Sequence, residues 1–407
     1  MITPAYADRN FAHLPGLFQA LLRGGESPLR NLLGDSLPAQ VNQVIFLFVD
    51  AFGWRFFERF SDHPTLQQLR REGSVARITS QFPSTTAAHM TTMTTGKVVG
   101  QHGVFEWQYY EPQVDAVIMP MLNAFAGDAY PETLKMAGID AAAFLPQRTL
   151  FQDLAAGGIT THAILPKEVL PSTYNQALSR GAIIHPYKTI PEALISLSRL
   201  VQQEKGPAIH FLYYGDHDTI CHSYGPDADQ TAAELDAFWH AVDRYLLRQL
   251  AGKVSDTLLL ISADHGQTAV DPATTVYLNL HPDFAQLHPL LRRSARGKLL
   301  TPGGSPRDAF LYVNSGQVEE AAALLRQMLA GRAEVHRTAD LIAAGLFGPE
   351  PHAPALSARV GDLCLLPHAH ETVWWYEKDR FEQKFRGHHG GLSADEMEIP
   401  LLAAALD

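Results

Sequence analysis

"HFLYYGDHDTICHSYGP", His210 to Pro226, decides how this chain is read. An apolar run suited to a buried strand gives way within a few residues to Asp216, His217, Asp218 and His222. The longer run "AIHFLYYGDHD" (Ala208–Asp218) has two counterparts, "QVIFLFVD" (Gln43–Asp50) and "DTLLLISADHG" (Asp256–Gly266). Each reads as a strand apolar on both faces, the pattern of parallel strands covered by helices on either side. Each also ends in or beside aspartate, and in an open parallel sheet ligands collect beyond the carboxyl ends of the strands. The expected fold class is therefore α/β, with a mostly parallel central sheet and helices on both faces.

Helical segments alternate with these runs. "DADQTAAELDAFWHAVDRYLLRQLAG" is expected to start at a cap on Asp227 or Asp229. It carries Leu235, Phe238, Val242, Tyr245 and Leu246 on one apolar stripe and is expected to stop near Gly252. A second helix is expected over Val318–Gly331. From about Thr268 to Phe385 the pattern changes: Gly/Pro-rich "TPGGSPRD" leads to "AFLYV", a helix, and later "DLCLLP" and "TVWWY". That is the look of a small α+β lobe inserted into the core. The expected organisation is a catalytic α/β core of residues 1–267 and 386–407, with residues 268–385 as a cap that sets specificity.

Composition narrows the function classes. The 407 residues are 46% hydrophobic and 18% charged, enough for a sizeable core. A net charge of −11 argues against a nucleic-acid polymer as partner, which would need a basic face. The first residues lack the basic start and apolar core of a signal peptide, and no apolar run reaches the ~20 residues of a membrane span. Cys221 and Cys364 are the two cysteines and make no disulfide framework. A cytoplasmic location without membrane association is expected; nothing in the sequence speaks to oligomeric state.

The chemistry lies in side chains that the strand ends bring together. Asp218 and His222 are four apart and share a face if the loop enters a helical turn. Asp264 and His265 are adjacent at another strand tip, and Asp50 supplies a third strand-end carboxylate. His389, in "RGHHGG", is followed by two glycines that let backbone approach a crowded site. A strand-end aspartate alone is usually a turn residue or cap. Six such groups together are costly to bury without cations. Aspartate and imidazole without cysteine suit zinc, with manganese as the alternative, better than calcium or magnesium.

"QFPSTTAAHMTTMTTG", Gln81 to Gly96, supplies the remaining part. A proline turn delivers Ser84, Thr85 and Thr86 to the start of a short helix, whose free N–H groups can seat a phosphate. Alone, Ser/Thr before a helix is a cap. Beside divalent ions a threonine hydroxyl becomes a nucleophile.

These pieces, in this order and spread from Asp50 to His389, resemble the alkaline phosphatase superfamily. The match is greatest with its type I phosphodiesterase/nucleotide pyrophosphatase branch. It rests on the strand ending in Asp50, "FPSTT", "DTICHSYGP", "DHG" and the late "HG". The resemblance implies one zinc held by Asp50, Asp264, His265 and the Thr86 hydroxyl, and a second held by Asp218, His222 and His389. It implies hydrolysis of a phosphodiester or pyrophosphate through a covalent phospho-threonine on Thr86. His89 stands three after Thr86, where the branch has an asparagine that binds a phosphoryl oxygen. It either makes that contact as a catalytic residue or is an ordinary helix residue. Thr85 and His388 stay open as substitutes for Thr86 and His389, and Asp216 and His217 match no ligand position.

The implied substrate is a small phosphate ester, with nucleotides among the candidates because "FEWQYY" and "WWYEKDRF" offer aromatics for stacking. The alternative is a phosphomonoesterase or phosphomutase of the same superfamily. Mutases there use serine and prefer manganese, which weighs against that reading. A catalytically idle metal-binding relative fits poorly with an intact ligand set.

Overall fold

The computed structural model describes residues 1–34 and 37–406. Seven strands form its central sheet: β1 Gln43–Val49, β2 Ser74–Thr79, β3 Thr160–Pro166, β4 Ile183–Tyr187, β5 Ala208–Tyr214, β6 Thr257–Ser262 and β7 Glu398–Leu406. Their spatial order is β2-β7-β6-β1-β5-β3-β4. Pairing is parallel from β6 through β1, β5 and β3 to β4. β7 runs antiparallel to its neighbours β2 and β6. The expected mostly parallel α/β architecture is what forms.

β1 and β6 are buried at every residue, as strands covered on both faces must be. Phe46, Phe48 and Phe211 pack ring to ring across β1 and β5 at centroid distances of 5.8–5.9 Å. Register matters more for function. Val49 lies opposite Tyr214, and Phe48 opposite Ser262, so β1, β5 and β6 end at one level. Asp50, Asp218 and Asp264 come just after those three ends and reach the same edge of the sheet.

Beyond β5 the chain is more regular than a loop entering a single helical turn. The strand ends at Tyr214, and residues Asp216–Tyr224 form a continuous helix. It stops at Gly225, whose φ of 95° a residue with a Cβ rarely adopts. The next segment corrects the expected single helix. An α-helix spans Asp229–Val242, a wider π turn Asp243–Leu247, and one last turn Arg248–Leu250. Its start is capped by neither aspartate, since Ala228 holds the cap position. The apolar stripe survives: Leu235, Phe238, Val242 and Leu246 are buried and Tyr245 half-buried. The extra residue in the π turn lets Leu247 and Leu250 be buried as well.

A second layer of structure stands over the sheet's carboxyl edge. Strands Ala309–Leu311, Ala333–Arg337 and Leu363–Pro367 form an antiparallel sheet backed by the helix Val318–Met328. A second small sheet, Tyr109–Glu111, Ala116–Met119 and Ala124–Phe125, shares apolar clusters with it. Phe105 meets Phe310 edge-on at 5.0 Å, for example. Residues on both sides of β3–β6 in sequence therefore build one apolar mass above the sheet. Among the described residues no helix is long and apolar enough to cross a membrane.

Candidate active site

Thr86 opens the helix Thr86–Thr95, shortly after the Phe82-Pro83 pair, and keeps partial exposure while its neighbours are buried. Its hydroxyl lies 3.4 Å from Asp50 Oδ2 and 3.3 Å from His265 Nε2. Thr85 holds the cap position but makes no side-chain cap bond. Of the two threonines, Thr86 is the one that faces the strand-end carboxylates. The first turn's N–H groups have no partners within the helix, which leaves the place in front of Thr86 favourable to an anion.

Around that hydroxyl the expected ligands converge. Single atoms of Asp50, Asp264 and His265 lie within 4.8 Å of one another, and so do those of Asp218, His265 and His389. His222 adjoins the second group, with Nε2 3.3 Å from Asp218 Oδ2. The rings of His265 and His389 stack at 3.7 Å, and His222 lies 5.1 Å from His389. Asp50, Asp264 and His265 are buried, while Asp218 and His222 are partly exposed, so the cleft opens on their side.

Three features of this set fit divalent cations. Asp50 Oδ1 and Asp264 Oδ2 are buried without any hydrogen-bond partner. Each imidazole donates its Nδ1–H to a backbone carbonyl: His222 to Gly387 at 2.8 Å, His265 to Gly266 at 3.0 Å, and His389 to Ser84 at 2.9 Å. That tautomer turns the Nε2 lone pairs inward, as metal ligation requires. The third is electrostatic. Burial first, and then Asp264 and Asp218, push the Asp50 carboxyl well above its ordinary range. Burial and Asp218 likewise carry Asp264 up to about 7, against the hydrogen bonds it accepts. For Asp218 burial is outweighed by His222 and His389, which hold it low. Burial keeps His265 neutral, down to about 4, and His389 well below its usual value. Neutral imidazoles beside crowded carboxylates are a donor set matched to positive charge.

Several supporting residues carry no mark in the sequence. The Tyr213 hydroxyl donates to Asp50 Oδ2. Gln267 Nε2 donates to Asp218, at the side chain and at the backbone carbonyl 3.2 Å away. Asp264 Oδ1 accepts the N–H groups of Ala51 (3.2 Å) and His265 (3.0 Å), which directs Oδ2 at the cluster. Tyr213 reads in sequence as one more apolar strand residue, and Gln267 as a loop amide; only the fold brings them to the carboxylates. Gly387 must lack a side chain, because a Cβ there would stand 2.4 Å from Gln267 Oε1 and 2.5 Å from the Cys221 carbonyl.

His89 is the sequence candidate that the structure corrects. It is fully buried, donates Nδ1–H to the Thr85 carbonyl at 2.7 Å, and accepts the Gln81 N–H on Nε2 at 2.9 Å. Both nitrogens are engaged inside the protein, so neither is available to a phosphoryl oxygen; its place on the buried side of the helix is the reason. Asp216 is exposed, and His217 is buried edge-on against Phe56 at 4.6 Å. His388 accepts the His389 N–H on Nδ1 at 2.9 Å, and it is His389 whose ring completes the group with Asp218 and His265. Trp374, Trp375 and Phe381 are buried core residues, whereas Trp107 (41%) and Phe385 (45%) are exposed. Phe385 lies 4.5 Å from the His222 ring.

Parallel strands delivering this carboxylate–imidazole set to a helix-start threonine define a member of the alkaline phosphatase superfamily. Comparison with known proteins narrows the class. The chain belongs to the type I phosphodiesterase/nucleotide pyrophosphatase family, whose model matches residues 44–392. It is 25% identical over 261 residues to the human ectonucleotide pyrophosphatase/phosphodiesterase family member 7, covering 60% of this chain and 52% of that protein. The rat counterpart is 23% identical over 258 residues, covering 60% and 55%. The chain thus spans about half the length of the curated relatives it matches. Among solved structures, an inactive variant of murine ectonucleotide pyrophosphatase/phosphodiesterase 5, in complex with AMP, superposes with a TM-score of 0.64 at 17% identity, covering 89% and 87%. Phosphonoacetate hydrolase from Sinorhizobium meliloti 1021, in complex with phosphonoformate, gives 0.61 at 17% identity, covering 88% and 89%. At those identities the likeness is one of fold.

Proposed function

We propose that this protein is a two-metal phosphodiesterase or pyrophosphatase that works through a phospho-threonine on Thr86. The observation that carries the reading is the Thr86 hydroxyl, 3.4 Å from one buried carboxylate and 3.3 Å from an inward-facing imidazole. Asp50, Asp264, His265 and the Thr86 hydroxyl would hold one ion, and Asp218, His222 and His389 the other. Zinc suits these donors, with manganese as the alternative. When bound, such a pair supplies the positive charge that acidifies a hydroxyl and offsets charge on the entering and leaving oxygens.

The protein's own groups then have distinct tasks. Thr86 Oγ attacks phosphorus in line, the P–O bond to the leaving group breaks, and the phosphoryl group stays on Thr86. Water then attacks the same phosphorus and releases threonine. The free N–H groups of the helix start favour the phosphoryl oxygens throughout. Tyr213 and Gln267 fix the carboxylates of Asp50 and Asp218, so the ligand geometry precedes substrate arrival. The structure over the sheet edge, residues 268–385 together with Tyr109–Phe125, would roof the site and choose the leaving group.

A diester fits better than a monoester. A monoester's extra charge calls for a side-chain cation, and the basic residues that flank the threonine segment are not aimed at it. Arg77 pairs with Glu398 at 3.1 Å and lies over the Trp54 ring at 4.8 Å, while Lys97 is exposed. Nucleotides stay among the substrate candidates, with the exposed Phe385 beside His222 as an apolar surface for the leaving group. The test is turnover of bis(p-nitrophenyl) phosphate against p-nitrophenyl phosphate, by wild type and Thr86→Ala. The diester should be preferred and Thr86→Ala should lose turnover by more than about 10³-fold while keeping its metal. Monoester preference would move the assignment to the phosphomonoesterase alternative, and normal turnover by Thr86→Ala would remove the covalent mechanism.

A further inference from the structure

The short helix Ala394–Met397 contributes no ligand, yet its buried residue Glu396 touches the loops that carry ligands of both ions. The Glu396 backbone carbonyl accepts the Gly266 N–H at 2.9 Å, and the Gly266 carbonyl in turn receives the His265 ring N–H at 3.0 Å. A Cβ on Gly266 would overlap the Asp395 carbonyl, so the helix meets the Asp264–His265 loop backbone to backbone. The Glu396 carboxylate serves the other loop. Its Oε1 accepts the Gly391 N–H at 3.0 Å, two residues after His389. Ser84, two residues before the nucleophile, donates its hydroxyl to the Gly391 carbonyl at 2.9 Å. Both polar backbone groups of Gly391 are therefore fixed, one by Glu396 and one by the turn that presents Thr86.

Glu396 is itself held from the structure over the sheet edge. Arg307, also buried, sets Nε on Oε1 and Nη2 on Oε2, each at 2.9 Å. Its Nη1 donates to the carbonyls of His368 and Glu371 at 2.7 and 2.5 Å. Ser393 completes the shell of Oε2 with its N–H at 3.2 Å and its hydroxyl at 2.5 Å. A buried ion pair is a weak source of stability, because desolvation offsets the attraction. What a two-pronged arginine–carboxylate pair supplies is direction: it fixes the plane of the carboxylate, and so the oxygen that meets Gly391. Groups that orient metal ligands through hydrogen bonds set metal affinity, and here the bond acts on the backbone that carries His389.

Resting on the two-metal reading above, we propose that Glu396 is a positioning residue for both ligand loops, and that Arg307 ties it to the structure over the sheet edge. The experiment compares two double variants that both remove the buried charges. Arg307→Met with Glu396→Gln leaves an oxygen able to take the Gly391 N–H; Arg307→Met with Glu396→Leu leaves none. Zinc content and affinity are read by competition with a chromophoric chelator, on protein shown to be folded by circular dichroism. Wild type should hold two zinc ions, and the leucine pair should bind the weaker one about 10–100-fold less tightly than the glutamine pair. Turnover of bis(p-nitrophenyl) phosphate lost by the leucine pair should return as zinc is raised, which a merely structural defect would not allow. Hydrogen exchange of metal-free wild type gives a check that needs no variant: the Gly391 amide should be protected with no ion present. An unprotected Gly391 amide there overturns the proposal, as does equal zinc affinity in the two pairs while wild type holds both ions. Wild type that fails to hold two ions overturns the two-metal reading and this inference with it.

Discussion

Asp264→Asn in chelated protein isolates the electrostatic strain that makes the site a metal site. Asp264 is buried, with Oδ1 held by two backbone N–H groups and Oδ2 unpartnered, and burial carries its carboxyl from an ordinary 3.8 up to about 7. A folded-state value above the unfolded one means the folded protein holds the proton more tightly. The associated stability is fully present below about pH 4 and is lost as pH rises through about 7. That interval corresponds to about 4 kcal/mol as an upper bound, before relaxation and water penetration reduce it. For a chain of this length that is roughly 2–5 °C in melting temperature. Asparagine keeps the Oδ1 acceptor and cannot ionise. With chelator present, the variant should therefore gain on wild type from about pH 4 to about pH 7 and level off above that. A fixed cost from its amide shifts the whole curve and leaves the slope intact. With zinc the order should invert: wild type gains by mass action, about 2.7 kcal/mol at a hundredfold excess over Kd, and the variant does not. Melting followed by fluorescence at several pH values, with and without chelator, reads all of this. Parallel curves for chelated wild type and variant would refute the reasoning, because they would mean the carboxylate is not strained in the cation-free fold.

Two further substitutions probe neighbours of the cluster. Tyr213→Phe removes the hydroxyl that holds Asp50 and should weaken zinc retention by about 10–100-fold at nearly unchanged fold stability, measured by competition with a chromophoric chelator; unchanged affinity would make Tyr213 a packing residue. His89→Leu removes two internal hydrogen bonds and should cost about 1–3 kcal/mol in denaturant unfolding, without raising KM for the diester. A raised KM at undiminished stability would return His89 to the phosphoryl group.

The legible part of this protein is the part that two-sided burial writes into sequence. β1, β5 and β6 announce themselves because a strand covered on both faces has no polar alternation, and the aspartates that end those runs stand out against it. His389 is legible for a different reason, its glycines, and Gly390 does adopt a φ of 123° with Ser305 and Asp308 closing in on it. What stays hidden depends on which way a side chain points once the backbone is placed. His89 and Thr86 are three apart on one helix and differ in the direction they face: one reaches the carboxylates, the other turns to Gln81 and Thr85. The π turn at Asp243–Leu247 leaves the spacing of apolar residues nearly intact, so periodicity reads through it. Tyr213 and Gln267 carry no local mark because their partners are distant in sequence, 163 positions away at Asp50 and 49 at Asp218.

That division comes from how the site is assembled. Asp50, Asp264 and His265 closely follow strand ends, Asp218 and His222 lie on the helix after β5, and His389 follows a short late strand. The pattern of strands is therefore enough to find the first three and the start of the helix that holds the next two. The groups that orient them act through hydrogen bonds across the sheet and across the Ser84–Gly390 contact, which exist only once β1, β5, β6 and the late histidine segment are in register. A site built this way depends directly on its strand register. A one-residue slip of β5 against β1 would turn Tyr213 to the opposite face and carry Asp218 about 3 Å along the strand, out of reach of His265 and His389. Substitutions that disturb that pairing should therefore lower metal retention before they unfold the protein.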